Sequence, residues 1–323
     1  MVLVDLGLSY DATIQEMIRT AMQGFSKKRP GAGISKKKIL KVLFNARAQM
    51  SADNPVRQKL AYYWYRDGPF SEVVYANIDR LSESGIITKS TNYETYTLVA
   101  RHAMAPLKAA DPAEHVDAAK AEIRRATDAF SSIEAAVEEI YTHAPYAWYR
   151  AYKSEFMAKF ESYCKSILEE RDSRYANEDI EDLLDEAILA YPTLPEFVDH
   201  KMIFMDFSKM LNAFLHSDDA DHGIRMEMLR VLLNLSKEIW NGFGEIARIG
   251  HHDEYYNDKV GKWISDYKDH MSALDSDIIG YTRKFESVTD TRRLHPDIED
   301  VILHPDRHDF KPVVTVGMAA QHE

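Results

Sequence analysis

The chain has 323 residues, of which 45% are hydrophobic, and it carries a formal net charge of -12. This length and apolar content exclude a disordered or low-complexity chain and favour two globular domains. A single cysteine, Cys164, excludes an intrachain disulfide and a cysteine-rich zinc site.

The first residues, MVLVDLGLSYD, lack the cationic stretch of a secretory signal, and no segment approaches the roughly 18 apolar residues that span a bilayer. We therefore expect neither export nor a membrane partner. The lone cysteine fits a reducing compartment, so the sequence predicts a cytoplasmic protein. Cys164 itself is predicted to pack within a helix and not to act as a nucleophile.

The negative net charge hides a strong asymmetry along the chain. Between Ser26 and Arg101 there are 14 Lys and Arg against 6 Asp and Glu, a formal charge of +8, so the remainder carries -20. A polyanion is attracted to the first hundred residues and repelled by the rest. The alternative is that these cations form an ordinary solvated face.

The first elements in chain order are helices. Residues 12 to 25 repeat apolar side chains at spacings of three and four, which predicts an amphipathic helix. Ser35 is a predicted N-cap for the next helix, KKKILKVLFNARAQM. After the Asn54-Pro55 break, VRQKLAYYWYRD is predicted to be a short helix or a helix leading into a strand, ending at a Gly68-Pro69 turn.

A third helix and a hairpin follow that turn. Ser71 is a predicted N-cap for EVVYANIDRLSES, and Gly85 is predicted to end this helix. The next segment, IITKSTNYETYTLV, alternates β-branched and aromatic residues around a polar turn, which predicts a β-hairpin. Three or four helices followed by a two-stranded wing are the order of a winged helix, and we assign residues 1–105 to such a domain.

One string in this segment also resembles known proteins. YWYRDGPFSEVVYANIDRLSESGIITKS, followed by YTLV, resembles the YwgA-like and Panacea-type (SocA-related) winged-helix domains over residues 35–105. That resemblance implies a protein that regulates or binds partners, in the Panacea case as an antitoxin or adaptor. It carries over no catalytic residue.

Beyond residue 105 the composition changes to long helices. The stripe from Val116 to Ile140 predicts one continuous helix over 112–143. Further helices are predicted over 146–171, 178–190, 195–215, 223–249 and 253–287. Together they predict an all-α antiparallel bundle over 106–288 that serves self-association or partner capture, followed by an irregular tail over 289–323. The fold class expected is therefore mainly α.

The candidate nucleic-acid contacts are cations of the first hundred residues: Lys27, Lys28, Arg29, Lys36, Lys37, Lys38, Arg80 and Lys89. The helix after the GP turn, which would enter the major groove, carries three acids, Glu72, Asp79 and Glu83. Base reading by that helix is therefore disfavoured, and contact with phosphates is the expected mode of DNA binding.

The segment YTHAPYAWYRAYKSEF offers a candidate partner interface, formed by Tyr146, Trp148, Tyr149 and Tyr152. Aromatic side chains are enriched at interface hot spots and stack on bases. The alternative is that these rings pack against a neighbouring helix, with their hydroxyls reaching solvent.

Two histidine-rich turns, HSDDADH at 216–222 and HHDE at 251–254, would bind a divalent ion if they met at one end of a bundle. Such turns are also ordinary hydrophilic connections, so no metal ligand is assigned. Phosphate-binding, dinucleotide-binding and nucleophile-elbow motifs are missing, and no cofactor is expected.

Three hypotheses follow from these patterns. The first is a non-enzymatic regulator that binds duplex DNA. The second is an antitoxin-type or adaptor module that does not bind DNA but binds a protein, and the acidic remainder of the chain suits a basic partner. The third is a metal-dependent hydrolase, which requires the turns at His216 to His222 and at His251 and His252 to converge.

Overall fold

A computed structural model describes residues 3–90, 94–99, 111–130, 140–142, 144–217 and 222–286. They are mainly helical, with a small antiparallel strand content. In this part of the chain no helix combines the length and the apolar character needed to cross a bilayer. The tail predicted over 289–323 lies outside the described residues.

The N-terminal elements alternate helices with short strands. In chain order they are α1 (Leu3–Lys28), β1 (Ile34–Ser35), α2 (Lys36–Gln49), α3 (Pro55–Lys59), β2 (Tyr63–Tyr65), β3 (Gly68–Phe70), α4 (Glu72–Glu83), β4 (Ile87–Lys89) and β5 (Thr95–Leu98). Strands β1, β5 and β4 form one antiparallel sheet in that order, while β2 and β3 form a separate hairpin. The segment after Pro55 is thus a short helix that leads into a strand, the second of the two forms expected.

The predicted helix caps are confirmed. The Ser35 hydroxyl accepts the backbone N–H of Lys38 at 3.2 Å, and the Ser71 hydroxyl accepts that of Val74 at 3.2 Å. Gly85 has φ +70 and follows the last turn of α4, where the Ile86 N–H donates to the Leu81 carbonyl at 3.0 Å. The left-handed backbone conformation that ends a helix in this way favours glycine, because glycine has no Cβ.

A further helix, α5 (Ala113–Ala129), packs on α1 and α2. Its buried stripe, which includes Val116 and Ile123, belongs to the same hydrophobic cluster as the N-terminal helices. The continuous helix predicted over 112–143 is wrong. The chain leaves the helix at Phe130, which adopts extended backbone and buries its ring in this N-terminal cluster, while residues 131–139 lie outside the described part.

The second hydrophobic cluster is built mainly by helices. Its elements are a π-helical segment (Tyr149–Met157), α6 (Ala158–Leu168), α7 (Asn177–Leu189), α8 (Val198–Leu215), α9 (His222–Gly250) and α10 (Val260–Glu286). Their bounds agree closely with the helices expected from periodicity. The antiparallel bundle arrangement stays a prediction. Cys164 is buried here, and burial raises the pKa of its thiol.

The two clusters are joined where the end of α9 contacts the β2–β3 hairpin. The Trp64 N–H donates to the His251 carbonyl at 2.8 Å, and the Asp253 N–H donates to the Tyr62 carbonyl at 2.9 Å. Trp263, near the start of α10, is buried in the N-terminal cluster. The division of the chain at residue 105 stays a prediction, although α5 lies beyond it and packs with the first elements.

Candidate functional site

The predicted cations lie on or beside four elements, α1, α2, α4 and β4, that are brought close together. We call them the basic face: Lys27, Lys28, Arg29, Lys36, Lys37, Lys38, Arg80 and Lys89. The ammonium of Lys38 lies 4.6 Å from the centroid of the Phe25 ring, which connects the start of α2 to the end of α1. The ammonium of Lys36 lies 5.7 Å from the Tyr96 ring, and Tyr96 pairs with Lys89 in the sheet.

Three of these cations contact carboxylates of the same chain. Lys36 lies 2.5 Å from Asp79, Lys37 lies 3.0 Å from Asp67, and Lys28 lies 3.4 Å from Asp128. Lys28 also donates to the carbonyls of the last turn of α5. Such pairs reduce the local positive potential, so the face is less basic than its sequence suggests. Lys27, Arg29 and Lys89 are exposed.

The start of α4 is covered by the C-terminal part of the chain. The backbone N–H of Glu72 donates to the Tyr256 hydroxyl at 3.2 Å, and the Glu72 carboxylate pairs with Lys259. The Tyr63 hydroxyl donates to the same carboxylate at 3.3 Å. A recognition helix presents its N-terminal residues to base edges, so this packing disfavours base reading by α4, as its acids already indicated.

The aromatic side chains predicted as a partner interface are core residues, which corrects that expectation. Trp148, Tyr149 and Tyr152 are fully buried and Tyr146 is 9% exposed. The packing alternative supposed that the tyrosine hydroxyls reach solvent, but those of Tyr149 and Tyr152 bond to backbone carbonyls instead. The Tyr149 hydroxyl donates to the Tyr65 carbonyl at 2.9 Å, and that of Tyr152 donates to the Ser236 carbonyl at 2.9 Å. These rings therefore hold helices together and offer no surface to a partner.

The two histidine-rich turns do not converge. His222 begins α9, whereas His251 and His252 follow its end, and 29 residues of helix separate the two sites. An α-helix rises about 1.5 Å per residue, so the turns are roughly 40 Å apart. His216 lies 2.5 Å from Glu181, and His251 bonds to the Tyr146 hydroxyl at 2.8 Å.

Among the described residues, no three metal-ligating side chains group together. Residues 218–221, which include the three acids of the first turn, lie outside that part of the chain. The hypothesis of a metal-dependent hydrolase requires the two turns to meet, and the distance between them removes its geometric support.

One buried cation has a role that the sequence did not reveal. Lys41 is 2% exposed, and its ammonium donates to the carbonyls of Asp67 and Pro69, the latter at 3.2 Å. Gly68 between them has φ +86, and a Cβ there would lie 3.0 Å from the Lys41 nitrogen. The Gly-Pro turn of the quoted motif therefore makes room for a lysine beneath the hairpin.

A cavity of about 350 Å³ opens beside this lysine, between α2, the β2–β3 hairpin, the π-helical segment and α9. The polar side chains in its lining include Lys37, Arg66, Asp67, Lys153 and Asn241. They come from four separate parts of the sequence, so neither spacing nor periodicity could have grouped them. The only local signal was the Gly-Pro turn.

No protein-family model matches the chain, and neither a curated protein nor a solved structure matches it. The resemblance to YwgA-like and Panacea-type domains therefore stays an expectation from the sequence. Any functional conclusion rests on the geometry of the chain itself.

Proposed function

We propose that the chain is a non-enzymatic regulatory protein whose N-terminal part is a winged helix that binds duplex DNA. The order helix, strand, two helices, helix α4 and two strands, with the β2–β3 hairpin between α3 and α4, supports this assignment, as does a sheet in which β1 pairs with β5 and β5 with β4. In this proposal β4 and β5 are the wing, and α4 occupies the position of the recognition helix.

DNA binding is proposed to act through phosphates and not through base edges. The covered, acidic start of α4 argues against sequence readout, whereas cations at the end of α1, the start of α2 and the wing suit backbone contact. Binding of this kind releases counterions, and its affinity falls steeply with salt.

The observation that carries the proposal is the assembly of the basic face from elements that are far apart in the sequence. Phe25 and Tyr96 connect the cations of α1, α2 and β4 into one surface. The rest of the chain is strongly acidic, so DNA would be oriented toward this surface by the charge asymmetry of the whole molecule.

The test is binding of the full chain to a labelled mixed-sequence duplex across a salt series. The variant replaces Lys27, Arg29 and Lys89 by Ala, and it leaves Lys36 and Lys37 in place because both pair with acids. A matched control replaces three exposed cations on the helices of the second cluster, Lys201, Arg230 and Lys268, by Ala.

Each phosphate contact contributes about 0.9 to the slope of log affinity against log salt concentration. The basic-face variant is expected to lose up to about 2.7 from that slope, whereas the control keeps it. Equal slopes for both variants, or no binding by the unmodified chain at low salt, would refute a DNA-binding face.

A protein-binding adaptor is the second candidate, and a different observation favours it. Four large apolar side chains near the α7–α8 connection are exposed: Leu189, Leu194, Val198 and Met202. Val198 and Met202 are four residues apart and share one face of α8. Exposed acids, including Glu186, Glu196 and Asp199, lie between and beside them in the sequence.

This combination suits a basic amphipathic helix, whose apolar face and cations would both be matched. The probe is a labelled Leu- and Lys-rich helical peptide, titrated with the full chain and with Met202→Ser. Weaker binding by Met202→Ser is expected, because this exposed side chain then loses its apolar contact without any change of charge. Unchanged peptide affinity in Met202→Ser would eliminate this surface.

A further inference from the structure

We propose that the cavity beside the Gly-Pro hairpin is a binding site for a small phosphate monoester that carries a planar ring, the chemistry of a mononucleotide. This site is separate from the proposed DNA-binding face, because the cavity lies between α2, the hairpin, the π-helical segment and α9. Only Lys37 is shared with the basic face.

Charge is the first reason. Four cations, Lys37, Lys41, Arg66 and Lys153, line the cavity, and Asp67 is the only acid among the described residues of its lining. Asp67 is paired with Lys37 at 3.0 Å, which leaves a clear positive excess. Such a lining repels a metal ion and attracts an anion with more than one negative charge.

The arrangement of the donors is the second reason. Arg66 is oriented by a bond from its guanidinium to the Asn241 side chain at 2.7 Å, and its backbone carbonyl accepts the Trp240 indole N–H at 3.0 Å. A guanidinium carries several parallel donors, so one bond to Asn241 uses only part of its capacity. A fixed guanidinium matches two phosphate oxygens at once.

Lysine ammonium groups complete the anion site from two other elements. Lys153, on the π-helical segment, lies 5.6 Å from the centroid of the Trp240 ring. Lys41 is held at the floor by the Asp67 and Pro69 carbonyls. Donors from three directions surround a tetrahedral phosphate better than a planar carboxylate.

The burial of two of these cations is visible in their pKa values. Burial lowers the pKa of Lys41 to about 7, and burial also lowers the pKa of Lys153. Burial opposes ionisation of Asp67, but the hydrogen bond and charge of Lys37, with the charges of Lys153 and Lys41, lower the pKa of Asp67. A bound anion would add the negative charge that this lining lacks.

Four aromatic side chains also line the cavity: Tyr65, Phe70, Tyr75 and Trp240. Rings of this kind stack on planar groups. A volume of about 350 Å³ lies at the small end of ligand sites, which suits one ring and one phosphate better than a dinucleotide.

The test is calorimetric titration of the full chain with adenosine monophosphate, adenosine and inorganic phosphate. We expect the monophosphate to bind more tightly than either part alone. Adenosine binding that equals the monophosphate would overturn the phosphate site, and inorganic phosphate binding that equals the monophosphate would overturn the ring site. No binding of any probe at millimolar concentration would overturn the proposal.

Two variants with opposite expected effects on the affinity for the monophosphate locate the site. Lys153→Glu is expected to weaken monophosphate binding at least about tenfold, since a charged hydrogen bond contributes roughly that factor or more. Asp67→Asn removes the acid and is expected to tighten binding about threefold or more. Lys159→Glu is the matched control, because Lys159 pairs with Glu155 at 2.9 Å and is not in the cavity lining.

Equal loss in Lys153→Glu and Lys159→Glu would show a nonspecific charge effect and refute the site. Asp67 is exposed, so Asp67→Asn keeps the test decisive even if Lys153→Glu unfolds. The basic-face variant retains every cavity residue, so the DNA-binding test and the nucleotide-binding test are independent. Failure of either one leaves the outcome of the other unaffected.

Discussion

The two hydrophobic clusters bury polar groups in different ways. The N-terminal cluster region buries charges: Glu16 and Arg19 are each 3% exposed and pair at 2.9 Å, and Lys120 pairs with the same carboxylate at 3.0 Å. The second cluster buries neutral groups. His200 is fully buried there, with one ring nitrogen 2.7 Å from the Ile239 carbonyl and the other 2.6 Å from the Tyr191 hydroxyl.

These contacts fix the protonation of His200. A carbonyl only accepts, so Nε2 carries the hydrogen and Nδ1 accepts from the tyrosine. Burial lowers the pKa of His200 to about 4, which keeps the ring neutral. The interior of the second region is thus held by neutral hydrogen bonds, whereas that of the first holds an ion pair, and the hairpin cavity lies where the two regions meet. The comparison teaches that the two regions satisfy their buried polar groups by different electrostatic means.

The largest effect is expected from the buried charges. Glu16→Gln removes the carboxylate that pairs with Arg19 and Lys120, and is expected to lower the free energy of unfolding by about 3–5 kcal/mol, measured by urea titration. The matched control is Glu122→Gln, which breaks an exposed pair of the same spacing with Arg125 and should cost less than about 1 kcal/mol.

A triple variant sharpens this test. Replacing Glu16, Arg19 and Lys120 together by Met removes all three charges of this network and should recover much of the lost stability, because no charged group of the network then remains buried. A similar loss in Glu16→Gln and Glu122→Gln would contradict the view that the first region depends on buried charge.

The second region should respond to pH through His200. Its pKa is lowered from about 6.5 to about 4 on folding, so the unfolded chain binds the proton first as pH falls. Stability from this group is complete above pH 6.5 and falls between 6.5 and 4 by up to about 3 kcal/mol. Urea titrations at a series of pH values measure this loss, and His200→Gln should remove it.

His270 provides a control of opposite sign. The hydrogen bond and charge of Glu245, with Glu238 nearby, raise the pKa of His270. The stabilisation from His270 is present below the unfolded pKa and is lost as pH rises through the folded pKa.

A pH profile unchanged by His200→Gln would exclude the buried histidine as the source of acid sensitivity.

The smallest effect tests the junction between the regions. A Cβ on Gly244 of α9 would lie 2.9 Å from the backbone nitrogen of Arg66, so Gly244→Ala must displace the hairpin. The expected cost is about 1–3 kcal/mol. Gly261 in α10 has no atom near its Cβ position, and Gly261→Ala should stabilise by up to about 1 kcal/mol. Equal melting temperatures of the two variants would argue against this close contact.

Local signals predicted much of the fold from the sequence alone. Helix bounds followed from apolar spacing, and the Ser35 and Ser71 caps and the Gly85 stop were correct because caps depend on neighbouring backbone groups. The hairpin at β4 and β5 followed from its alternation. The long helix through Phe130 was wrong because the chain becomes extended at this residue, whose ring packs into the same N-terminal cluster as α5, and periodicity does not register this turn.

Only the tertiary structure decided the environment of each polar side chain. Aromatic residues at 146–152 have the same spacing whether they face a core or a partner, and their burial depends on helices up to 100 residues away. The sequence supplied the cations, but it could not determine that Asp79 and Asp67 pair with two of them, or that Lys41 lies beneath a hairpin. Electrostatic interactions depend on distance and solvent exposure, and both are set by the packing of elements that are remote in the sequence.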